Sequence, residues 1–149
     1  MRTLHNIDLK NNESGFTLRW QDRLILSHTA DAPCLWIGAG EADIEMFRGN
    51  FSIKDKLNEK IALTNATVTQ QSAGWAIRFT RGDAVSATLL VGVDAEGRLE
   101  LKLKNDAPGH NRIWLRLAAQ PEDHIYGCGE QFSYFDLRGK PFPLWTSEQ

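Results

Sequence analysis

Apolar residues in this chain alternate with a period of two, in short stretches separated by turn-forming residues at intervals of roughly 8–12 positions. A strand places successive side chains on opposite faces, so this pattern demands half-buried strands rather than helices. No segment keeps helical periodicity for ten or more residues. The clearest example begins at Gly15. Phe16, Leu18 and Trp20 alternate, Gln21-Asp22 supplies a tight turn, and Arg23 to His28 returns with Leu24 and Leu26 expected on one face. From residue 74 a meander follows. Trp75, Ile77 and Phe79 alternate before Arg81-Gly82-Asp83, and Val85, Ala87, Leu89, Val91 and Val93 run in phase. After Asp94-Ala95-Glu96-Gly97 come Leu99, Leu101 and Leu103, interleaved with Glu100, Lys102 and Lys104. That last stretch has one apolar and one charged face, as expected of a sheet with one side in water. Ile113, Leu115 and Leu117 then share a face, opposite Trp114 and Arg116. Many short strands with Gly, Asp, Asn and Pro turns imply an all-β fold, an antiparallel β-sandwich or barrel.

Three other local readings follow. Asp31-Ala32-Pro33 breaks the chain before Cys34-Leu35-Trp36-Ile37, and Gly38 with Gly40 predicts a bend. Strands are expected over Phe51 to Lys54 and Ile61 to Gln70, with residues 54–60 between them as a solvated loop or one helical turn, the loop being preferred. Met46 to Phe51 forms a dense loop in which Arg48 lies beside two aromatics. It reads as a turn with a solvated arginine, or else as an arm toward a ligand anion.

Composition narrows the function classes. With 149 residues, 42% of them apolar and 24% charged, the chain suits one globular domain able to bury its own core. The net charge of −2 and the lack of any Lys/Arg cluster longer than two argue against a nucleic-acid partner. No run is apolar and long enough for a signal peptide or a helical membrane span, so a cytoplasmic protein with no membrane partner is expected. Cys34 and Cys128 read as reduced thiols, and His5, His28, His110 and His124 do not have metal-ligand spacing; no metal and no cofactor are expected.

Residues 120–149 differ from the rest. Alternation stops, and Tyr126, Phe132, Tyr134, Phe135, Phe142 and Trp145 crowd among glycines and charges. Glu130, Gln131, Asp136 and Arg138 are polar groups set among these aromatics. Sugar sites are built this way, with rings stacking on aromatic faces while carboxylates, amides and guanidinium groups fix hydroxyls. The bland alternative is an ion pair between Glu130 and Arg138 at a strand end, with the aromatics filling an inter-domain seam. Cys128 as a nucleophile would need a base, and His124 four residues earlier has no evident orienting partner. Gly127-Cys128-Gly129 lacks the lysine-serine tail of a phosphate loop and the third glycine of a dinucleotide fingerprint. No carboxylate pair is recognisable as a glycosidase dyad.

The run Ile125-Tyr126-Gly127-Cys128-Gly129-Glu130-Gln131-Phe132, followed by Leu137-Arg138-Gly139-Lys140, resembles the end of the N-terminal sandwich of glycoside hydrolase family 31 α-glycosidases. In that family a Tyr-Gly-x-Gly-Glu run precedes a (β/α)8 barrel. Phe47 to Lys56 and Asn111 to Asp123 extend the likeness to the branch acting on sulfoquinovosides, and it spans essentially the whole chain. The resemblance implies a galactose-mutarotase-like N-terminal β-sandwich over 1–149, with 120–149 as the sandwich-to-barrel segment. It implies a retaining hydrolase whose catalytic aspartates, and sulfonate-recognising residues, lie on a barrel outside this chain. Its partners would be that C-terminal barrel and a carbohydrate substrate, with self-association through the seam left exposed without the barrel. Glu130, Gln131 and Arg138 become candidates for a substrate-pocket wall or inter-domain seam, with no catalytic residue here. Two rivals remain open: a stand-alone carbohydrate-binding sandwich, and a mutarotase-like enzyme, which would need a histidine and a carboxylate converging on a concave sheet face. For that role His28, His110 and His124 are expected at strand ends or in turns.

Overall fold

The computed structural model describes residues 6–48, 50–83, 85–126 and 134–140. Among them are ten strands and no helix: β1 (Ile7–Asn12), β2 (Gly15–Trp20), β3 (Arg23–Thr29), β4 (Leu35–Phe47), β5 (Asn50–Ala62), β6 (Asn65–Gln71), β7 (Gly74–Arg81), β8 (Val85–Val93), β9 (Leu99–Asn105) and β10 (Arg112–Leu115). They form three sheets, ordered β1-β2-β3, β10-β4-β5 and β6-β7-β8-β9. The all-β, antiparallel expectation holds. Residues 1–41 with 56–118 make one compact unit, and residues 42–55 with 119–149 make a second.

The alternating residues build the core of the first unit. Phe16 and Leu18 from β2, Leu26 from β3, Leu35 and Ile37 from β4, Ile77 and Phe79 from β7, and Ala87, Leu89 and Val91 from β8 are buried in one cluster. All three sheets contribute, so each hides its apolar face against the others. In the meander, Ile77 pairs with Leu89 and Phe79 with Ala87; Leu89 in turn pairs with Leu103 and Val91 with Leu101. The edge strand β9 packs Leu99, Leu101 and Leu103 on the core. Lys102 and Lys104 on its other face pair with Glu100 and Asp106. Lysines on an edge strand discourage edge-to-edge pairing with another chain.

The opening hairpin forms as expected, with left-handed φ of 50° and 64° at Gln21 and Asp22. Two such residues in succession are what a two-residue turn needs to match strand twist. One expectation changes. The β2–β3 register shifts between Leu18 and Arg19, where Leu18 opposes Leu26 but Arg19 opposes Leu24. This bulge turns Ile25, rather than Leu24, against the core.

The predicted bend at Gly38 and Gly40 is absent, because β4 runs straight through both. The glycines serve close approach instead. A Cβ on Gly38 would drive into the Glu59 carbonyl and lie 2.9 Å from the Trp114 ring. A Cβ on Gly40 would lie 2.9 Å from the Lys56 carbonyl oxygen. Asn111 exploits this closeness. Its amide group donates to the Gly40 carbonyl (2.9 Å) and its side-chain oxygen accepts from the Gly40 N–H (3.0 Å), extending the β10–β4 ladder with a side chain. The preferred loop at residues 54–60 is also absent: that polar stretch is strand, inside β5. Conversely, the strand expected from Ile61 to Gln70 is interrupted at Leu63-Thr64, which links β5 to β6. Leu115 of β10 packs on the core, whereas Ile113 on the same strand and Leu117 beyond its end are exposed.

His28, expected at a strand end or in a turn, is the penultimate residue of β3, and it points inward with 1% exposure. Its ring stacks on Phe16 at 5.5 Å and meets Phe79 edge-on at 5.2 Å. Nδ1 accepts the Cys34 backbone N–H (3.3 Å), which leaves Nε2–H to donate to the Thr64 carbonyl (3.2 Å). A neutral Nε2–H tautomer satisfies both bonds, and burial holds the pKa below the ordinary value. Cys34 is a free, buried thiol, pushed up to about 11 by the same desolvation.

Two outcomes are expected. Gly38→Ala should lower stability by about 1–3 kcal/mol through overpacking, read as a lower urea midpoint with an unchanged slope. Because His28 titrates in the unfolded chain near 6.5 and lower in the folded one, its contribution is intact above 6.5 and declines as pH falls below it. Urea midpoints should therefore drop between about pH 7.5 and about pH 5.5, and His28→Gln should remove that part of the slope while lowering stability at neutral pH.

Candidate functional site

The segment singled out for chemistry lies in the second unit, where residues 119–126 and 134–140 are described. Its two stretches are held together by Asp136. The carboxylate accepts the backbone N–H groups of Ile125 (3.1 Å) and Arg138 (3.0 Å) on one oxygen. The other oxygen accepts His124 Nδ1–H at 2.7 Å. These donors, the His124 hydrogen bond foremost and then the two backbone bonds, hold the Asp136 pKa at about 2. Leu137 N–H donates to the Ile125 carbonyl (2.8 Å) and closes the pairing.

Arg138 works on the preceding turn. Its guanidinium donates to the carbonyls of Gln120 and Asp123 (2.8 Å to the latter), while the Asp123 carboxylate accepts the Gln120 N–H at 2.8 Å. One guanidinium nitrogen thus ties together two carbonyls of that turn. Gly139, at φ 66°, then turns the chain so that Lys140 N–H reaches the Leu137 carbonyl.

An aromatic surface sits on this frame. Tyr126 stacks on the His124 ring at 6.1 Å and contacts Phe135 at 5.1 Å. Lys140 Nζ lies 4.9 Å from the Tyr134 ring centre. Phe135 is 88% exposed and Tyr126 56%, so neither ring is consumed by a core. In the same unit the end of β4 carries Ile44, Met46 and Phe47, all exposed. Arg48 folds over Phe47 at 5.1 Å in the turn expected there.

Of the sequence-predicted candidates, Arg138 is placed and its described partners are backbone carbonyls. Glu130 and Gln131 lie outside the described residues, as do Gly127, Cys128 and Gly129. His124 and Asp136 were not recognised as a pair. His124 has the orienting carboxylate that seemed to be missing, supplied from twelve positions along the chain. With Nδ1–H donated to Asp136, Nε2 is the ring nitrogen left for another partner, on an exposed side chain. No local sequence pattern marks such a pairing. Among the described residues no group of three or more His, Cys, Asp or Glu is placed to hold a metal ion. No helix among them is long and apolar enough to cross a membrane.

Residues 12–149 match the family model of the glycosyl hydrolase 31 N-terminal galactose mutarotase-like domain. The chain belongs to that family. As a member of it, the chain is 73% identical, over 98% of its length, to the sulfoquinovosidase of Escherichia coli (strain K12), of which it covers 22%. It is 40% identical to the sulfoquinovosidase of Agrobacterium fabrum (strain C58), over 93% of this chain and 20% of that protein. Among solved structures, a family-31 sulfoquinovosidase from E. rectale, in complex with the aza-sugar inhibitor IFGSQ, superposes with a TM-score of 0.77 at 35% identity. That match covers 95% of this chain and 20% of the other. The chain thus spans about a fifth of the length of the relatives it matches. The sandwich expected from strand spacing is this family's N-terminal domain.

The low Asp136 pKa sets a pH signature. Its contribution to order is complete above the ordinary value of 3.8 and is lost as pH falls toward about 2. In carboxyl-detected NMR, Asp136 should titrate near the lower value, and His124→Ala should move the titration back up. Asp136→Asn should speed hydrogen exchange at the Ile125 and Arg138 amides while leaving the meander amides unchanged.

Proposed function

We propose that this chain is the N-terminal, non-catalytic β-sandwich of a retaining α-glycoside hydrolase acting on sulfoquinovosides, such as α-sulfoquinovosyl glycerol. The observation that carries this reading is the 73% identity over 98% of the chain to a sulfoquinovosidase. Bond cleavage with retention needs two carboxyl groups ~5–5.5 Å apart across the glycosidic bond. In this reading both are aspartates of a (β/α)8 barrel, the partner that the sandwich supports. Residues 1–149 form the sandwich domain, and 120–149 lead from it to the barrel. The enzyme works in the cytoplasm, where a free buried thiol such as Cys34 is at home.

Glu130, Gln131 and Arg138 belong to the pocket wall or the inter-domain seam. Arg138 acts there by holding the turn at Gln120–Asp123 in shape, which is a positioning role. The exposed Tyr126, Tyr134 and Phe135 are suited to the same seam, since a contiguous apolar surface of this kind marks an interaction face. The same rings also suit a self-standing sugar platform, which is the second reading.

Assays with a chromogenic sulfoquinovoside separate the alternatives. The 149-residue chain should show no turnover, whereas the chain joined to its barrel should show it. Turnover by the chain alone would overturn the placement of the chemistry. Titration of the isolated chain with sulfoquinovosyl glycerol should give no saturable binding at the Tyr126 and Phe135 resonances; saturation there would favour the sugar platform. Arg138→Ala in the joined protein should lower kcat/KM by roughly tenfold or more, with the barrel's own stability unchanged. Self-association through the seam should appear in sedimentation of the isolated chain and vanish when the barrel is attached.

A further inference from the structure

The meander sheet is open along one side. β6 is its outer strand, hydrogen-bonded to β7 alone. An outer strand points the N–H and C=O groups of alternate residues away from its neighbour, and these template pairing with another chain. Among the described residues, no hydrogen bond outside the β7 ladder involves residues 65–71.

The remaining sheet edges carry protection that β6 lacks. β9 exposes Lys102 and Lys104, β1 carries Asp8 and Lys10, and β5 carries Lys54, Lys56 and Lys60. β10 is four residues long, and on β3 the Ile25 carbonyl is taken by the Ala118 N–H. β6 reads Asn-Ala-Thr-Val-Thr-Gln-Gln, with no charge, proline or glycine. It pairs with β7 from Asn65 opposite Thr80 to Gln71 opposite Gly74, without a bulge. Charges, prolines, bulges, short length and covering segments are the usual guards of an edge, and β6 has none of them.

The side chains of β6 specify a register. Ala66 and Val68 pack on the core, while Asn65, Thr67, Thr69 and Gln71 are exposed. Residues directly opposite in an antiparallel pair lie on one face, so a strand that continues this sheet must match core-facing positions with core-facing positions. A second β6 does so when the two strands pair about Val68. Thr67 then opposes Thr69 of the other copy, Asn65 opposes Gln71, Ala66 opposes Gln70, and Val68 opposes its own copy. All residues of the strand find a partner. Threonine meets threonine, amide meets amide, and no charge meets another. A two-fold axis through Val68 gives both copies the same contacts.

We propose that β6 is a self-association edge, at which two copies of this chain pair β6 to β6, antiparallel about Val68, and join their meander sheets into one continuous sheet. The inference rests neither on the glycosidase reading nor on the aromatic seam, because β6 lies in the first compact unit and the seam in the second.

Charge-swapped edges test it. Thr67 and Thr69 are exposed, so replacing both by lysine, or both by glutamate, leaves the core untouched. Sedimentation equilibrium of the unsubstituted 149-residue chain should show a dimer with Kd roughly in the 10–100 μM range. The Thr67→Lys, Thr69→Lys chain should stay monomeric, and so should the Thr67→Glu, Thr69→Glu chain, since like charges then face each other across the pair. An equimolar mixture of the two should dimerise at least as tightly as the unsubstituted chain. Exchange of alternate amides in residues 65–71 should slow as protein concentration rises. A chain still monomeric at about 1 mM would overturn the proposal. So would a dimer that the lysine pair leaves intact, or one whose loss mixing fails to restore. Association that Phe135→Ser abolishes and the lysine pair spares would belong to the aromatic seam, and β6 would then have no such role.

Discussion

The buried His28 imidazole is the interaction on which the rest of this sandwich depends. A polar ring in a hydrophobic core is tolerable only when both nitrogens are satisfied. Here one accepts from the Cys34 backbone and the other donates to the Thr64 carbonyl. Those two partners sit on separate links, Cys34 between β3 and β4 and Thr64 between β5 and β6. One side chain thereby ties the strand on which it resides to two chain crossings. Its flat faces continue the apolar packing through Phe16 and Phe79, so the polar tie costs little core volume.

The same economy recurs where sheets and strands meet. At Gly38 the absence of a side chain lets Trp114 lie across the β4 backbone, and Asn111 then completes the ladder at Gly40 with its own amide. That arrangement leaves the indoles of Trp36 and Trp114 on the outer face, where Lys60 and Arg116 gather on them. The close packing that forces glycine inside β4 is thus also what assembles the cationic, aromatic strip outside it.

The second unit is organised by different physics. Its described residues include just one deeply buried apolar side chain, Leu137, and order comes from charge-assisted hydrogen bonds. Asp136 gathers three N–H donors and Arg138 gathers two carbonyls, so loops without regular secondary structure acquire a definite shape. This frame presents Tyr126 and Phe135 outward instead of folding them away. A surface so arranged is suited to another body, which is why a seam with a catalytic barrel is the reading we favour.

Much of the architecture was legible in the sequence by itself. Strict alternation in residues 74–105 determined which faces are buried, because the side-chain period of a strand is two whatever it pairs with. The Gln21-Asp22 turn was legible for a similar reason, since a two-residue connection between alternating runs leaves few backbone solutions. The family likeness was legible in the run from Ile125 to Lys140 and across the wider chain. Tertiary structure decided what depends on a partner distant in sequence. Polar residues 54–60 became strand because β4 offers them a ladder, and Gly38 became extended backbone because Trp114 needed the room. A bulge exchanged Leu24 for Ile25 at the core, and a cavity lined by aromatic rings drew His28 inside. His124 met Asp136 only once their loops had been brought side by side. Periodicity is a local property and survives in the sequence, whereas hydrogen-bond partners and close approaches are properties of the folded chain alone.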